Sequence, residues 1–352
     1  MKTALVEKAA NAFMGPGKIA IESLGHGLIH HTYKVGHSER KIVLQAINTG
    51  VFKKPEDIIY NYRETYQYLE KHKGAIGIPE PLQAINGQFL WTDEENNCWR
   101  ALEFVHHSYS PLTADNEEAA YTVSKNFAAF TRSLEGLNAQ TLKEIIPDFH
   151  NLSFRYRQFK KAVATSQPDR LTKATPVISS LKERRSLVDY YDTLADAKKY
   201  PFRLMHHDCK ISNILFDLNT DGVICPVDLD TLMPGKFISD LGDMIRTMAS
   251  SEDEDSIHWE SITIRSSFYN AILEGYLEGI GPILTEEEKK NIHYSGLLLV
   301  YMQALRFLTD FLLGDRYYKT SYPEQNLKRA LNQLTLLERL EGFLKAEYSM
   351  EM

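Results

Sequence analysis

The sequence predicts an α+β protein of two lobes, a small β-rich one over residues 1–105 and a larger, mainly helical one over 106–352. Three observations lead there. A chain of 352 residues is longer than one ordinary core can organise. Short strand-like stretches separated by turn residues fill the first hundred positions. From about residue 115 onward the apolar residues recur with a period near 3.6.

In chain order, residues 1–14 read as a short helix with Ala9, Phe13 and Met14 near one face. KIAIESL (18–24), HTYKVG (31–36) and KIVLQAI (41–47) read as strands; Gly25 and Gly27 part the first two, and HSER (37–40) turns into the third. A helix is expected over 55–73, opened by Pro55 and faced by Ile58, Ile59, Tyr62, Tyr66 and Leu69. GQFLWT and CWRALEFV then read as a strand pair. Helices are expected near 115–133, 154–164, 175–197, 239–250, 257–279, 285–313 and 324–347. Residues 213–230 interrupt them as two strands about NTDG (219–222). SEDEDS (251–256) reads as a solvated loop.

Composition narrows the function. A net charge of −7 with no basic stripe argues against nucleic-acid binding. Cys98, Cys209 and Cys225 lie far apart without CxxC spacing, so neither a disulfide framework nor a zinc knuckle is expected, and a cytoplasmic location fits. MKTALVEKAANAF lacks a continuous apolar core, so no signal peptide is expected; no run of 18 apolar residues suggests a membrane span.

Residues 205–215, MHHDCKISNIL, concentrate chemistry. If the hairpin folds symmetrically about NTDG, Asn213 faces Asp228 and both point to one side. A one-residue slip would separate them, and Pro226 restricts the second strand. In that register an amide oxygen and a carboxylate converge, with Asp208 just before them on the loop. Two oxygens for Mg²⁺ beside a free carboxylate suit phosphoryl transfer. The bland alternative is a polar turn, in which Asp208 caps backbone amides and Asp228 ends a strand.

His206, Asp208 and Asn213 in HHDCKISN resemble the HxDxxxxN catalytic loop of the aminoglycoside/choline kinase-like phosphotransferases, relatives of protein kinases; Asp228 in VDLD matches their metal-binding aspartate. More closely, LQAINTGVF (44–52), VDLDTLMPG (227–235), DLGDMIR (240–246) and RFLTDFLLGDRYYKTSYPEQNL (306–327) resemble the bacterial N-acetylhexosamine 1-kinases. The resemblance implies a bilobal protein-kinase-like fold and ATP- and Mg²⁺-dependent phosphorylation of a sugar at its anomeric hydroxyl. It implies Asp208 as base, Asn213 and Asp228 as Mg²⁺ ligands, and His206 as a brace; His207 reads as loop filler. Gly25 and Gly27 in LGHGLIHHTY would cover the phosphates, and the backbone of Glu103 and Val105 would meet adenine, with Phe104 packing. Gln45 stands where most kinases carry a phosphate-binding lysine, with Glu64 as its natural helix partner; Lys41 is not assigned the role. For the sugar the candidates are Asp230, Arg306, Tyr317, His31 and Tyr109. Asp230 rests on the strand continuing past Asp228, and Arg306 could instead pair with Asp310 one turn on. Asp240 and Asp243 are expected to cap or brace the helix that follows.

Two other readings compete. The same fold could act on choline, which asks for an aromatic cage, or on an aminoglycoside, which asks for an acidic cleft. Neutral Gln45 raises a catalytically silent nucleotide-binding regulator, against which Asp208, Asn213 and Asp228 speak.

Overall fold

The computed structural model describes residues 2–24, 29–37, 40–72 and 76–350. They group into two compact units, Met1–Tyr109 with Gly136–Ile146 and Ile214–Met233, and Ser110–Glu135 with Pro147–Asn213 and Pro234–Met352.

The first unit is built on an antiparallel sheet. Helix α1 (Thr3–Met14) buries Leu5, Val6, Ala9, Ala10 and Phe13. Strands β1 (Ala20–Ser23), β2 (His31–Gly36) and β3 (Lys41–Ile47) follow, then helix α2 (Pro55–Lys71). β4 (Pro81–Leu82), β5 (Trp91–Thr92) and β6 (Cys98–Glu103) complete the sheet, whose order is β1-β2-β3-β6-β4 with β5 also on β6. The inward residues Val35, Ile42, Leu44, Ala46, Trp99 and Ala101 pack with the apolar face of α1. In α2, Pro55 opens the helix and Glu56 and Asp57 sit at the positive end of its dipole. GQFLWT yields a strand only at Trp91–Thr92. Gly87 turns the chain at φ +78°, and Asp93 gathers the amides of Glu95 and Asn97 and the indole of Trp99 into a tight bend.

The second hairpin departs from the expected symmetry. Its strands are Ile214–Asp217 and Val223–Pro226, with Pro226 opposite Ile214 and a bulge between Val223 and Cys225. The register is therefore one residue off the symmetric arrangement at the open end, and two off beyond the bulge, where Val223 faces Phe216. The cause is local: Asp217 captures the amides of Asn219 and Thr220, pulling the turn to one side. Strand β7 (Ser108–Tyr109) pairs on the hairpin's outer side.

The second unit is helical. Its helices are α3 (Glu117–Ser133), α4 (Leu152–Thr165), α5 (Pro168–Glu183), α6 (Ser186–Thr193), α7 (Ile238–Met244), α8 (Ser266–Ile280), α9 (Glu286–Lys290), α10 (Ile292–Leu312) and α11 (Gln325–Tyr348). Three long expected helices are broken or shortened. Pro168 starts α5 early, and the chain turns at Arg184–Arg185 before α6. Residues 257–265 form no α-helix, holding only a 3₁₀ turn at Trp259–Ser261 and a bridge from Ser250 to Ile264. α9 and α10 are separated at Asn291, whose amide bonds the hydroxyls of Tyr190 and Tyr200. α7 continues as a π turn over Ile245–Ala249. α10 is long and apolar enough to span a bilayer, but 83% of its apolar window is buried in the fold, which marks it as the core helix. α3 and α8 pack closely because Gly275 and Gly279 have no Cβ; one at Gly275 would sit 2.3 Å from the carbonyl of Tyr121.

Candidate active site

In the second unit the short strand Arg203–Met205 delivers the chain to Asp208, and a 3₁₀ turn over Ile211–Asn213 follows. Asn213 donates through Nδ2 to Asp208 Oδ2 and to the Asp208 carbonyl, both at 2.9 Å. Lys210 Nζ lies 3.3 Å from the same carboxylate. Burial pushes the Asp208 carboxyl up; Lys210, His206 and the Asn213 amide together outweigh it and hold the group below its ordinary value. Asp208 is thus an ionised carboxylate that keeps 29% of its side chain exposed. Committing its nitrogen to Asp208 fixes the Asn213 amide, with Oδ1 as its acceptor end.

The loop is braced from beneath. Asp240, buried in the first turn of α7, accepts the amides of His206 at 3.0 Å and His207 at 2.8 Å. It therefore secures the loop that carries Asp208 rather than capping its own helix, while Asp243 pairs with Arg246 at 2.9 Å. Burial raises the carboxyl of Asp240, and two backbone amides offset part of that cost. His206 is fully buried against Phe127 and accepts the Asp208 amide. His207 is no loop filler. It takes φ 66°, is buried, and its ring meets Ser239 Oγ at 2.6 Å. A Cβ on Gly235 would stand 2.4 Å from that ring.

An aromatic platform adjoins the loop in the same unit. The His207 ring packs on Phe149 and His150. Phe149 in turn lies under the Arg306 guanidinium at 5.0 Å, which also covers Tyr317 and Tyr318 at 5.8 and 5.5 Å. Among the described residues Arg306 makes no ion pair with Asp310; it bonds Gln303 instead. Asp310 has a different task. Its carboxylate accepts three successive amides, Arg316, Tyr317 and Tyr318, at 2.8–2.9 Å, and Asn326 Nδ2 at 3.0 Å. Tyr317 is thereby held half exposed beside Arg306. Replacing Asp310 by alanine strands three amides, so a loss of about 3 kcal/mol or more is expected. Amide exchange at residues 316–318 should rise by orders of magnitude in that variant, and unchanged protection there would refute the assignment.

In the first unit the environment of Gln45, the candidate for the lysine position, differs from the one expected. Gln45 lies opposite Arg100 on β6 and accepts Arg100 Nε at 2.9 Å, while its own Nε2 donates to Thr32 Oγ1 at 3.1 Å. Among the described residues no ion pair joins Glu64 to a cation, so the expected Gln45–Glu64 partnership is not formed. α2 contributes Asn61, which bonds the carbonyls of Lys143 and Leu232.

Asp230 is not on a continuing strand. The strand ends at Pro226, Asp228 adopts φ 60°, ψ 53°, and a 3₁₀ turn over Leu229–Thr231 carries Asp230 inward. There Arg100 Nη1 approaches Oδ1 and His30 Nε2 approaches Oδ2, each at 2.5 Å. His30 accepts the Asn48 amide at Nδ1, so its proton is on Nε2, facing Asp230. Burial alone would raise the Asp230 carboxyl, but Arg100 and His30 hold it far below the usual range. Burial likewise works against the Arg100 charge, and Asp230, with Asp228 behind it, keeps it ionised. With both oxygens engaged and 2% exposure, Asp230 is a structural anchor rather than a sugar ligand. The anticipated pairing of Asn213 with Asp228 is likewise absent from the hairpin ladder, whose last pair is Pro226 with Ile214.

The remaining positions differ in character. The Glu103 amide donates to Glu80 O at 2.8 Å, so an adenine edge there would be read by the Glu103 carbonyl. The Val105 carbonyl accepts Ser108 Oγ. Tyr109 commits its hydroxyl to Asp221 and packs on Phe216. His31 is exposed at the start of β2. Gly25 and Gly27 lie outside the described residues. Arg100, His30 and the loop-bracing role of Asp240 escaped the sequence reading. A lone arginine inside the apolar strand CWRALEFV was the available signal, since a buried cation requires a partner.

Among solved structures, the fold is similar to that of a microcompartment-associated aminopropanol kinase, with TM-score 0.67 at 14% identity over 98% of both chains. It is also similar to a spectinomycin phosphotransferase solved with ADP and spectinomycin, with TM-score 0.62 at 13% identity over 96% of this chain and 99% of that one. A choline kinase from Cryptosporidium parvum Iowa II gives TM-score 0.56 at 13% identity over 99% and 97%. A profile described as "Phosphotransferase enzyme family" matches residues 20–283. With a carboxylate on an HxDxxxxN loop and three quarters of its length within that match, the chain belongs to the phosphotransferase enzyme family, and its fold is the α+β kinase-like one.

Proposed function

We propose that this phosphotransferase transfers the γ-phosphoryl group of ATP to the anomeric hydroxyl of an N-acetylhexosamine, giving the sugar 1-phosphate. Asp208 accepts the proton of the attacking hydroxyl; an anomeric hydroxyl is acidic enough for an ordinary carboxylate to serve. ADP in the similar spectinomycin phosphotransferase supports the nucleotide. The Asn213 acceptor end and the Asp228 carboxylate are hard oxygens and fit Mg²⁺. Mg²⁺, when bound, would supply charge neutralisation for the transferring phosphate. The Glu103 carbonyl and the Val105 amide would read adenine, and residues Gly25 and Gly27 would approach the phosphates.

The observation that carries the acceptor class is the occupation of the aromatic platform. Choline, ethanolamine and aminoglycosides are cations, and a cation-binding cage needs free ring faces. Here Arg306 already covers Phe149, Tyr317 and Tyr318. A second cation would meet like charge. A neutral sugar gains instead a guanidinium donor and the edge and hydroxyl of Tyr317. The stretches in 306–327 that resemble the hexosamine kinases coincide with this platform.

A coupled ADP-release assay across hexoses, N-acetylhexosamines, choline, ethanolamine and aminoglycosides tests the reading, with ³¹P NMR to locate the phosphate. Turnover is expected with N-acetylglucosamine or N-acetylgalactosamine, product phosphate at the anomeric carbon, and none with choline. Efficient turnover of a cationic alcohol with no activity on sugars would contradict it.

A further inference from the structure

In kinases generally, a lysine on the third strand holds the α- and β-phosphates and pairs with a helix glutamate. Together with the metal-binding aspartate, that constellation carries one net negative charge. In this chain the lysine is Gln45, and the helix carboxylate Glu64 has no ion pair among the described residues. The cation has not been lost from the unit. It stands one strand over, as Arg100, directly across β3 and β6 from Gln45. Its partner is Asp230, two residues beyond Asp228. Arg100 and Asp230 cancel, so the pair adds no net charge beside Asp228.

We propose that Arg100 is a positioning residue that replaces the third-strand lysine, acting on the nucleotide phosphates through Gln45 rather than by contact. Arg100 is 1% exposed, so its charge acts through its neighbours. Nε donates to Gln45 Oε1, which fixes the amide and polarises it. The amide nitrogen gives one hydrogen to Thr32 Oγ1 and keeps a second. A charged donor on the oxygen strengthens that remaining N–H as a donor to anionic oxygen. At the same time Arg100 neutralises Asp230, so that Asp228 does not share its turn with a second uncompensated carboxylate. A neutral amide at position 45 can thus serve a polyanion because its partner strand holds the charge.

The proposal rests on nucleotide binding and not on the acceptor. It is tested by titrating fluorescent ADP, with Mg²⁺, into wild type, Arg100→Lys, Arg100→Gln/Asp230→Asn, and that double variant carrying Gln45→Lys. The double variant removes both charges while keeping hydrogen-bonding side chains, which protects the fold; its melting curve verifies this. It is expected to bind ADP about tenfold more weakly. Gln45→Lys in that background is expected to restore affinity to within about threefold of wild type, and Arg100→Lys to fall between. A merely structural arginine predicts no such rescue. A folded double variant that binds ADP as wild type does, or a failure of Gln45→Lys to restore binding, overturns the proposal. A wild type that binds no ADP overturns the nucleotide reading and this proposal together.

Discussion

Asp208→Asn is expected to lower kcat by about a thousandfold while nucleotide affinity stays near wild type. The two side chains are nearly isosteric, and the carbonyl end of an asparagine can still accept the Asn213 amide that now bonds Asp208 at 2.9 Å. Loop geometry is held independently by Asp240 through the amides of His206 and His207. What disappears is the ability to take a proton from the acceptor hydroxyl. ADP-release rates and fluorescent-ADP titrations on the same preparation separate the two effects. Near-wild-type turnover in the variant would remove Asp208 from the base role.

The pH profile carries a second signature of the same residue. Burial raises the Asp208 carboxyl, but Lys210, His206 and Asn213 prevail and lower it. A base whose pKa is depressed stays ionised to lower pH. No acid limb assignable to Asp208 is therefore expected in kcat/KM from neutrality down to about pH 4. Lys210→Met withdraws the nearest cation, and any limb from Asp208 should then move upward.

What the sequence disclosed, and what it withheld, follows from the range of the interactions involved. β2 and β3 are local patterns of alternating side chains, and they form over the residues expected, His31–Gly36 and Lys41–Ile47. α11 is one long periodic run closed by neither proline nor glycine, and it too forms where expected. The hairpin register escaped because one side chain, Asp217, chose the turn. The breaks at Arg184 and Asn291 escaped because they answer to distant partners, Glu341 and the pair Tyr190 and Tyr200. At the site, Asp208 and Asn213 are five residues apart on one loop, and a local turn brings them together, whereas the sequence reading sets Asn213 opposite Asp228. The platform of Phe149, Arg306 and Tyr317 joins segments more than 150 residues apart, so only Arg306 and Tyr317, near neighbours in chain, were legible. Asp230 was misread for a related reason. Its role depends on Arg100 and His30, respectively 130 and 200 residues away, and on a backbone that leaves the strand at Asp228.

Asp230→Ala is expected to cost about 3–5 kcal/mol of folding stability, because it strands a buried guanidinium. Arg100→Gln should cost a comparable amount by stranding the carboxylate, though His30 still donates to it. The double change Arg100→Gln/Asp230→Ala leaves no uncompensated charge and should cost less than the two singles added together, giving a coupling energy of about 2 kcal/mol or more. Urea unfolding of the four proteins closes this cycle; additive losses would show that the 2.5 Å pair contributes no interaction of its own. The pH dependence has a fixed sign. Asp230 is depressed in the folded state, so its contribution is fully present above its unfolded value of about 4 and is lost as pH falls below that. The gap between wild type and Asp230→Ala should therefore be constant from pH 7 to about pH 5 and narrow progressively in stronger acid. A gap that widened in acid would mean that Asp230 is protonated in the folded protein at neutral pH, and that Arg100 is held by something else.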